Sequence, residues 1–93
     1  MTMVLRIEEV ASESGTTFTL IGRITSPDVQ DLKARLAEAL NPVALDLEDV
    51  RLVDLDAVRF LAAAERQGIE LRQLPQYVRE WILLEKSRLS DLE

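Results

Sequence analysis

The 93-residue chain contains no cysteine and no histidine, and only three glycines, three prolines and four aromatic residues (two Phe, one Trp, one Tyr). Without these two residue types there is no thiolate nucleophile, imidazole base or disulfide, and the usual zinc and iron ligands are missing. Serine catalysis lacks its activating base too, since Ser12, Ser14, Ser26, Ser87 and Ser90 have no histidine to pair with and none sits in a nucleophile-elbow sequence. Gly15, Gly22 and Gly68 lie too far apart for a phosphate-cradling loop and read instead as turns or helix ends. No uncharged apolar run approaches the ~20 residues of a membrane helix. Met1 to Val10 carries Arg6, Glu8 and Glu9 inside its only apolar stretch, so no targeting segment is expected and the protein is expected to be cytoplasmic.

Charge is unbalanced. Seventeen acids against eleven bases leave a net charge of −6, and the nine arginines and two lysines are scattered along the chain. Such a surface repels phosphate backbones and anionic head groups, so neither nucleic acid nor membrane insertion is expected. The 47% hydrophobic fraction is ordinary for a globular protein. At this length folding hides only about 60% of the unfolded chain's surface, so the apolar residues are expected to serve one core in a single domain over residues 1–93.

Two β-branched runs, Val4–Val10 and Thr16–Gly22, flank the small polar segment Ala11 to Gly15 and predict a β-hairpin. Leu5 and Ile7 alternate with Arg6 and Glu8, and Phe18 and Leu20 with Thr17 and Thr19, the period of strands with one polar face. Thr25-Ser26-Pro27-Asp28 predicts a helix start, with Ser26 as cap, Pro27 in the first turn and Asp28 at the positive dipole end. Val29, Leu32, Leu36 and Leu40 supply its inner stripe, and Asn41-Pro42 stops it. Val43–Leu47 then predicts a core strand, Glu48–Asp54 a connection, and about Asp56–Gln67 a second helix with Val58, Leu61 and Ala62 inward and Gly68 at its end. Ile69 and Leu71 mark a short fourth strand. Pro75 opens a third helix carrying Val78, Trp81, Ile82 and Glu85, with Trp81 assigned to the core and fraying expected over 87–93. The expected fold is α/β, a four-stranded mixed sheet with three helices in the order ββαβαβα, because a strand that follows a helix so closely implies a βαβ crossover.

Asp46, Glu48, Asp49, Asp54 and Asp56 crowd into one short stretch whose only base is Arg51. Asp54-Leu55-Asp56 superficially resembles the Asp-x-Asp of magnesium-dependent phosphoryl-transfer enzymes of the haloacid-dehalogenase type, but that motif continues Gly-Thr where Ala57-Val58 stands here. The simpler account is that acids beside a helix N-terminus cap it and complement its dipole, each contributing a few tenths to about 1 kcal/mol. Neither enzymatic activity, metal nor cofactor is expected.

Taken together, Phe18 to Ile24, Val29 to Leu40 and above all Leu45-Asp46-Leu47-Glu48-Asp49-Val50-Arg51-Leu52-Val53-Asp54 resemble a STAS domain, the family of bacterial anti-sigma-factor antagonists and related modules. The resemblance implies a protein-binding module in signalling and transcription regulation, whose partner is an anti-sigma factor or another kinase-like ATPase. It also implies that the docking face is the loop before the second helix together with that helix, so Asp54, Leu55, Asp56 and Arg59 are the expected partner-binding residues. In the family a serine or threonine that accepts phosphate follows the aspartate. Here that position is Leu55, a degenerate phosphoacceptor, while Asp56 and Ala57 replace the next hydroxyl and the glycine. Leu55 carries no hydroxyl, and Asp56 offers one charge against the −1.5 to −2 of phosphoserine. The resulting expectation is constitutive docking without a serine phosphoswitch. Alternatives are a STAS subunit on the ATPase of a lipid-transport ABC system, a small magnesium-dependent phosphatase using Asp54 and Asp56, and a homodimer formed through the polar sheet face or the third helix.

Overall fold

The computed structural model describes residues 4–91. Its elements are β1 (Arg6–Ser12), β2 (Gly15–Ile24), α1 (Ser26–Glu38), β3 (Val43–Asp46), β4 (Val50–Val53), α2 (Leu55–Arg66), β5 (Glu70–Arg72) and α3 (Gln76–Asp91). The architecture is the expected small α/β domain with a mixed sheet, with one strand more than the periodicity shows. β1 and β2 form the predicted hairpin, with Ile7 opposite Leu20 and Glu8 opposite Thr19. β3 runs parallel to the first half of β2, and β5 runs parallel to β3.

The extra strand is β4, inside the stretch expected to be a connection. β2 is ten residues long and β3 covers it only as far as Thr19, so the distal part of β2 is left with open hydrogen-bonding groups. β4 runs parallel to that part, placing Leu52 beside Arg23 and Val53 beside Ile24. The change of partner coincides with an irregularity between Gly22 and Arg23, and Gly22 adopts φ 104°, which glycine tolerates without the steric cost other residues meet there. With only Val50 and Val53 buried, β4 lacks the alternation by which a strand is recognised in sequence.

The inward residues of β2, namely Phe18, Leu20 and Ile24, are buried under the helices, while Thr17, Thr19, Ile21 and Arg23 are half-buried on the open face. Leu32 of α1, Val58 and Leu61 of α2, and Val78 and Ile82 of α3 complete the core with Leu45 and Leu47. Trp81 packs against this core and is half-buried. Each fully buried side chain of this kind contributes about 1.5–3 kcal/mol by leaving water.

Two local expectations change. α1 is capped by Thr25, not Ser26: Thr25 is extended, and the Asp28 carboxylate accepts its backbone N–H at 2.9 Å and its hydroxyl at 2.9 Å. α1 also ends at Glu38, because the chain is already extended at Ala39 on its way to Pro42, so Leu40 is 63% exposed instead of lying on the inner stripe. α3 continues to Asp91, past Ser87 where fraying was expected, and residues 92 and 93 lie outside the described residues.

Candidate functional site

The end of β4 and the start of α2 bring together Asp54, Leu55 and Asp56, and α1 adds a residue from far away in sequence. Val53 is buried and anchors the strand, after which Asp54 takes the extended conformation of a helix cap. One carboxylate oxygen of Asp54 accepts the Ala57 N–H at 2.9 Å, capping α2. The other accepts the Ser26 backbone N–H at 2.9 Å, at the first residue of α1. A single carboxylate therefore joins the positive ends of two helices, a favourable setting for one negative charge. The Asp54 N–H in turn donates to the Ile24 carbonyl at 3.2 Å, so the loop is tied to the sheet as well.

The Ser26 hydroxyl lies 2.5 Å from an Asp56 oxygen and 3.2 Å from the Asp54 oxygen that already holds the Ser26 N–H. It has one proton to donate, and the shorter contact has the length of an O–H···O⁻ bond, so the proton points to Asp56. Asp54 and Asp56 thus converge on Ser26. Their oxygens serve as hydrogen-bond acceptors, and among the described residues no three acidic side chains gather as a metal-ligand set.

Leu55 is 37% exposed at the first position of α2. Its neighbours are fixed by the Asp54 cap below it and by the buried Ala57 and Val58 one turn on. Arg59 has a second task. Its Nε donates at 3.2 Å to Glu85 of α3, whose side chain is only 5% exposed, and Arg88 approaches the other oxygen of Glu85 at 3.7 Å. A carboxylate that deeply placed is costly without a counter-ion, so Arg59 is committed to neutralising Glu85 and is not simply a solvated arginine.

Farther along, α2 and α3 are clasped by Glu65, which accepts from Arg79 through both oxygens at 2.9 and 2.8 Å and from Lys86 at 2.9 Å. These cationic donors hold the Glu65 carboxyl down to about 2 and raise the Arg79 guanidinium, mainly through the same hydrogen bonds. On the far side of α2 an open hollow of ≈ 330 Å³ leads from Ser26 and Asp56 toward Phe60, and it shares Lys33, Phe60 and Ala63 with a second hollow of ≈ 470 Å³ between α1 and α2. Tyr77, 47% exposed, donates its hydroxyl to the Arg51 carbonyl at 3.0 Å and so closes the free edge of β4.

The partners Ser26 and Glu85 were not legible as site residues. Each lies more than twenty positions from the group it touches, and only the folded arrangement of α1, α2 and α3 brings them in. The one sequence signal was Glu85's place in the inward stripe of α3, where a carboxylate requires a cation.

A family model described as Mlab, STAS domain matches residues 7–92. The chain belongs to the STAS domain family. No curated protein matches the chain. Among solved structures, this STAS domain is similar to an antisigma-factor antagonist STAS domain from Rhodobacter sphaeroides, with 23% identity over 74% of this chain and 84% of that one, at a TM-score of 0.55. It is also similar to an uncharacterized protein of the DUF3478 family with a SpoIIAA-like fold from Shewanella loihica PV-4, with 12% identity over 88% of this chain and 96% of that one, at a TM-score of 0.53. At these identities the two structures establish the STAS fold. Within the described residues no helix of the domain is long and apolar enough to cross a membrane.

Proposed function

We propose that this STAS domain is a non-catalytic docking module of bacterial signalling and transcription regulation. It would work in the cytoplasm and bind a kinase-like ATPase of the anti-sigma-factor kind through the loop before α2 and the N-terminal half of that helix. The observation that carries the reading is Leu55: an apolar side chain 37% exposed at the first position of a helix whose N-terminus is locked by the Asp54 cap. An exposed apolar group at a helix start between Asp54 and Asp56, with Arg59 one turn on, has the makings of an interface anchor with a polar rim. Leucine cannot take phosphate, so docking at this point would be constitutive.

Leu55→Glu tests the reading more cleanly than a change at Arg59, which would also strand the buried Glu85. The charge sits on an exposed position and should leave folding intact while weakening partner binding at least tenfold. Parallel affinity purifications from the native cell, with wild-type and Leu55→Glu domains as bait, would show an ATPase retained by the first and lost from the second. Equal recovery with both baits refutes the surface.

A second reading is a STAS subunit on the ATPase of a lipid-transport ABC system. The match to the Mlab family model favours it. The two readings share the docking surface and differ in the partner, so the class of ATPase that depends on Leu55 decides between them.

A further inference from the structure

The outer edge of β1 carries no strand among the described residues, since β1 pairs only with β2. It is seven residues long, holds no proline and pairs with β2 in unbroken register. All its residues except Ile7 are exposed. A long, regular edge of this kind is a template for another strand unless its side chains forbid the pairing.

Here their charges favour one pairing among those that engage most of the strand, since a register centred on Val10 opposes no like charges but engages only residues 8–12 of β1. Arg6, Glu8 and Val10 stand opposite Ile21, Thr19 and Thr17 on the open face, whereas Ile7 stands opposite the buried Leu20 on the helix side. Two copies joined antiparallel about an axis normal to the sheet must oppose residues of the same face, so the register is centred on a residue. Centring on Glu8 sets Glu8 against Glu8, centring on Arg6 sets Arg6 against Arg6, and centring on Glu9 sets Glu9 against Glu9. Like charges directly opposed destabilise each arrangement. Centring on Ile7 instead sets Arg6 against Glu8, Glu8 against Arg6, Val4 against Val10 and Val10 against Val4. On the helix side Ile7 meets Ile7, and Leu5 meets the aliphatic stem of Glu9.

We propose that this STAS domain forms a twofold homodimer by pairing β1 edge to edge with β1 of a second copy in the Ile7-centred register, joining two five-stranded sheets into one. Val4 and Val10, 70% and 67% exposed, lose water in the process. Arg6 and Glu8, in contact at 3.5 Å within one chain, gain partners across the seam. β4 and the start of α2 lie on the other side of β2, so the Leu55 surfaces remain open and the dimer is bivalent toward a docking partner.

Sedimentation velocity across a range of concentrations tests this with charge reversals. The wild-type chain is expected to show a monomer–dimer equilibrium. Arg6→Glu or Glu8→Arg alone turns both cross-seam pairs repulsive and should raise the dissociation constant about tenfold. Mixing the Arg6→Glu chain with the Glu8→Arg chain makes every pair attractive again and should restore dimer at the wild-type level. Hydrogen exchange needs no variant: β1 amides of the wild type should gain protection with concentration. A wild type monomeric at every concentration, a dimer indifferent to either reversal, a mixture that fails to recover, or β1 amides unprotected at high concentration each overturns the proposal.

Discussion

Replacing Asp54 by alanine removes one carboxylate and with it two hydrogen bonds, to the Ala57 N–H at 2.9 Å and to the Ser26 N–H at 2.9 Å, together with a 3.2 Å contact to the Ser26 hydroxyl. Loss of a helix cap costs about 1 kcal/mol, within a range of roughly 0.5–2. The tie to α1 is charge-assisted, but the Ser26 N–H is solvent-exposed and water replaces the lost acceptor, so it adds only about 1 kcal/mol. The contact with the Ser26 hydroxyl adds little, because the hydroxyl proton is directed to Asp56. The expected total is about 2 kcal/mol, a large share of the 5–15 kcal/mol of a small domain. Asp54→Asn should cost about half as much, since its remaining oxygen can still accept the Ala57 N–H while its amide faces another donor at Ser26. Ser26→Ala should leave the Asp54→Ala effect unchanged to within about 0.5 kcal/mol, because the tie to α1 runs through the backbone. Urea denaturation measures all three as shifts in midpoint at constant slope. An Asp54→Ala cost below about 0.5 kcal/mol, or equal costs for alanine and asparagine, would refute the two-helix role of this carboxylate.

Glu65 provides a pH test. Its carboxyl is held at about 2 in the folded chain against 4.5 ordinarily, so its contribution is fully present above pH 4.5 and is lost as the pH falls toward 2. Taken alone the shift corresponds to about 3 kcal/mol, but Arg79 and Lys86 are 36% and 35% exposed and solvent screening reduces it to about 1 kcal/mol. Glu65→Gln should therefore lower stability by about 1 kcal/mol at pH 7, with the difference from wild type closing as the pH approaches 2; a constant difference in urea melts across that range would contradict the assignment. Gly15 has φ +128°, and an added Cβ would collide with the Pro42 carbonyl oxygen, whose acceptor role toward the Thr16 N–H at 3.0 Å resists displacement. Gly15→Ala should cost about 2–4 kcal/mol, read as a fall in thermal midpoint, and an unchanged midpoint would contradict it.

Much of the fold was legible along the chain because helices α1 and α2 and strands β2 and β3 each present a regular apolar face to one core. Val29, Leu32, Phe18, Leu45, Val58 and Leu61 all lie where their spacing predicted. Leu40 shows the limit of spacing, since it keeps the helical interval after the helix itself has turned away. β4 shows another: its two buried residues are its ends, and what makes it a strand is the unpaired half of β2, which no local pattern records.

By itself the sequence determined that no cysteine or histidine side chain is available, which faces of most elements point inward, and that the chain resembles a STAS domain. Those properties depend on residue type and on neighbours a few positions apart. The tertiary structure alone decided that Asp54 ties α2 to α1 through Ser26, that Arg59 serves the buried Glu85, and that the outer edge of β1 carries no strand among the described residues. Each of these depends on distances between groups far apart in the chain, and such distances exist only once the core has closed around Phe18, Leu45 and Leu61.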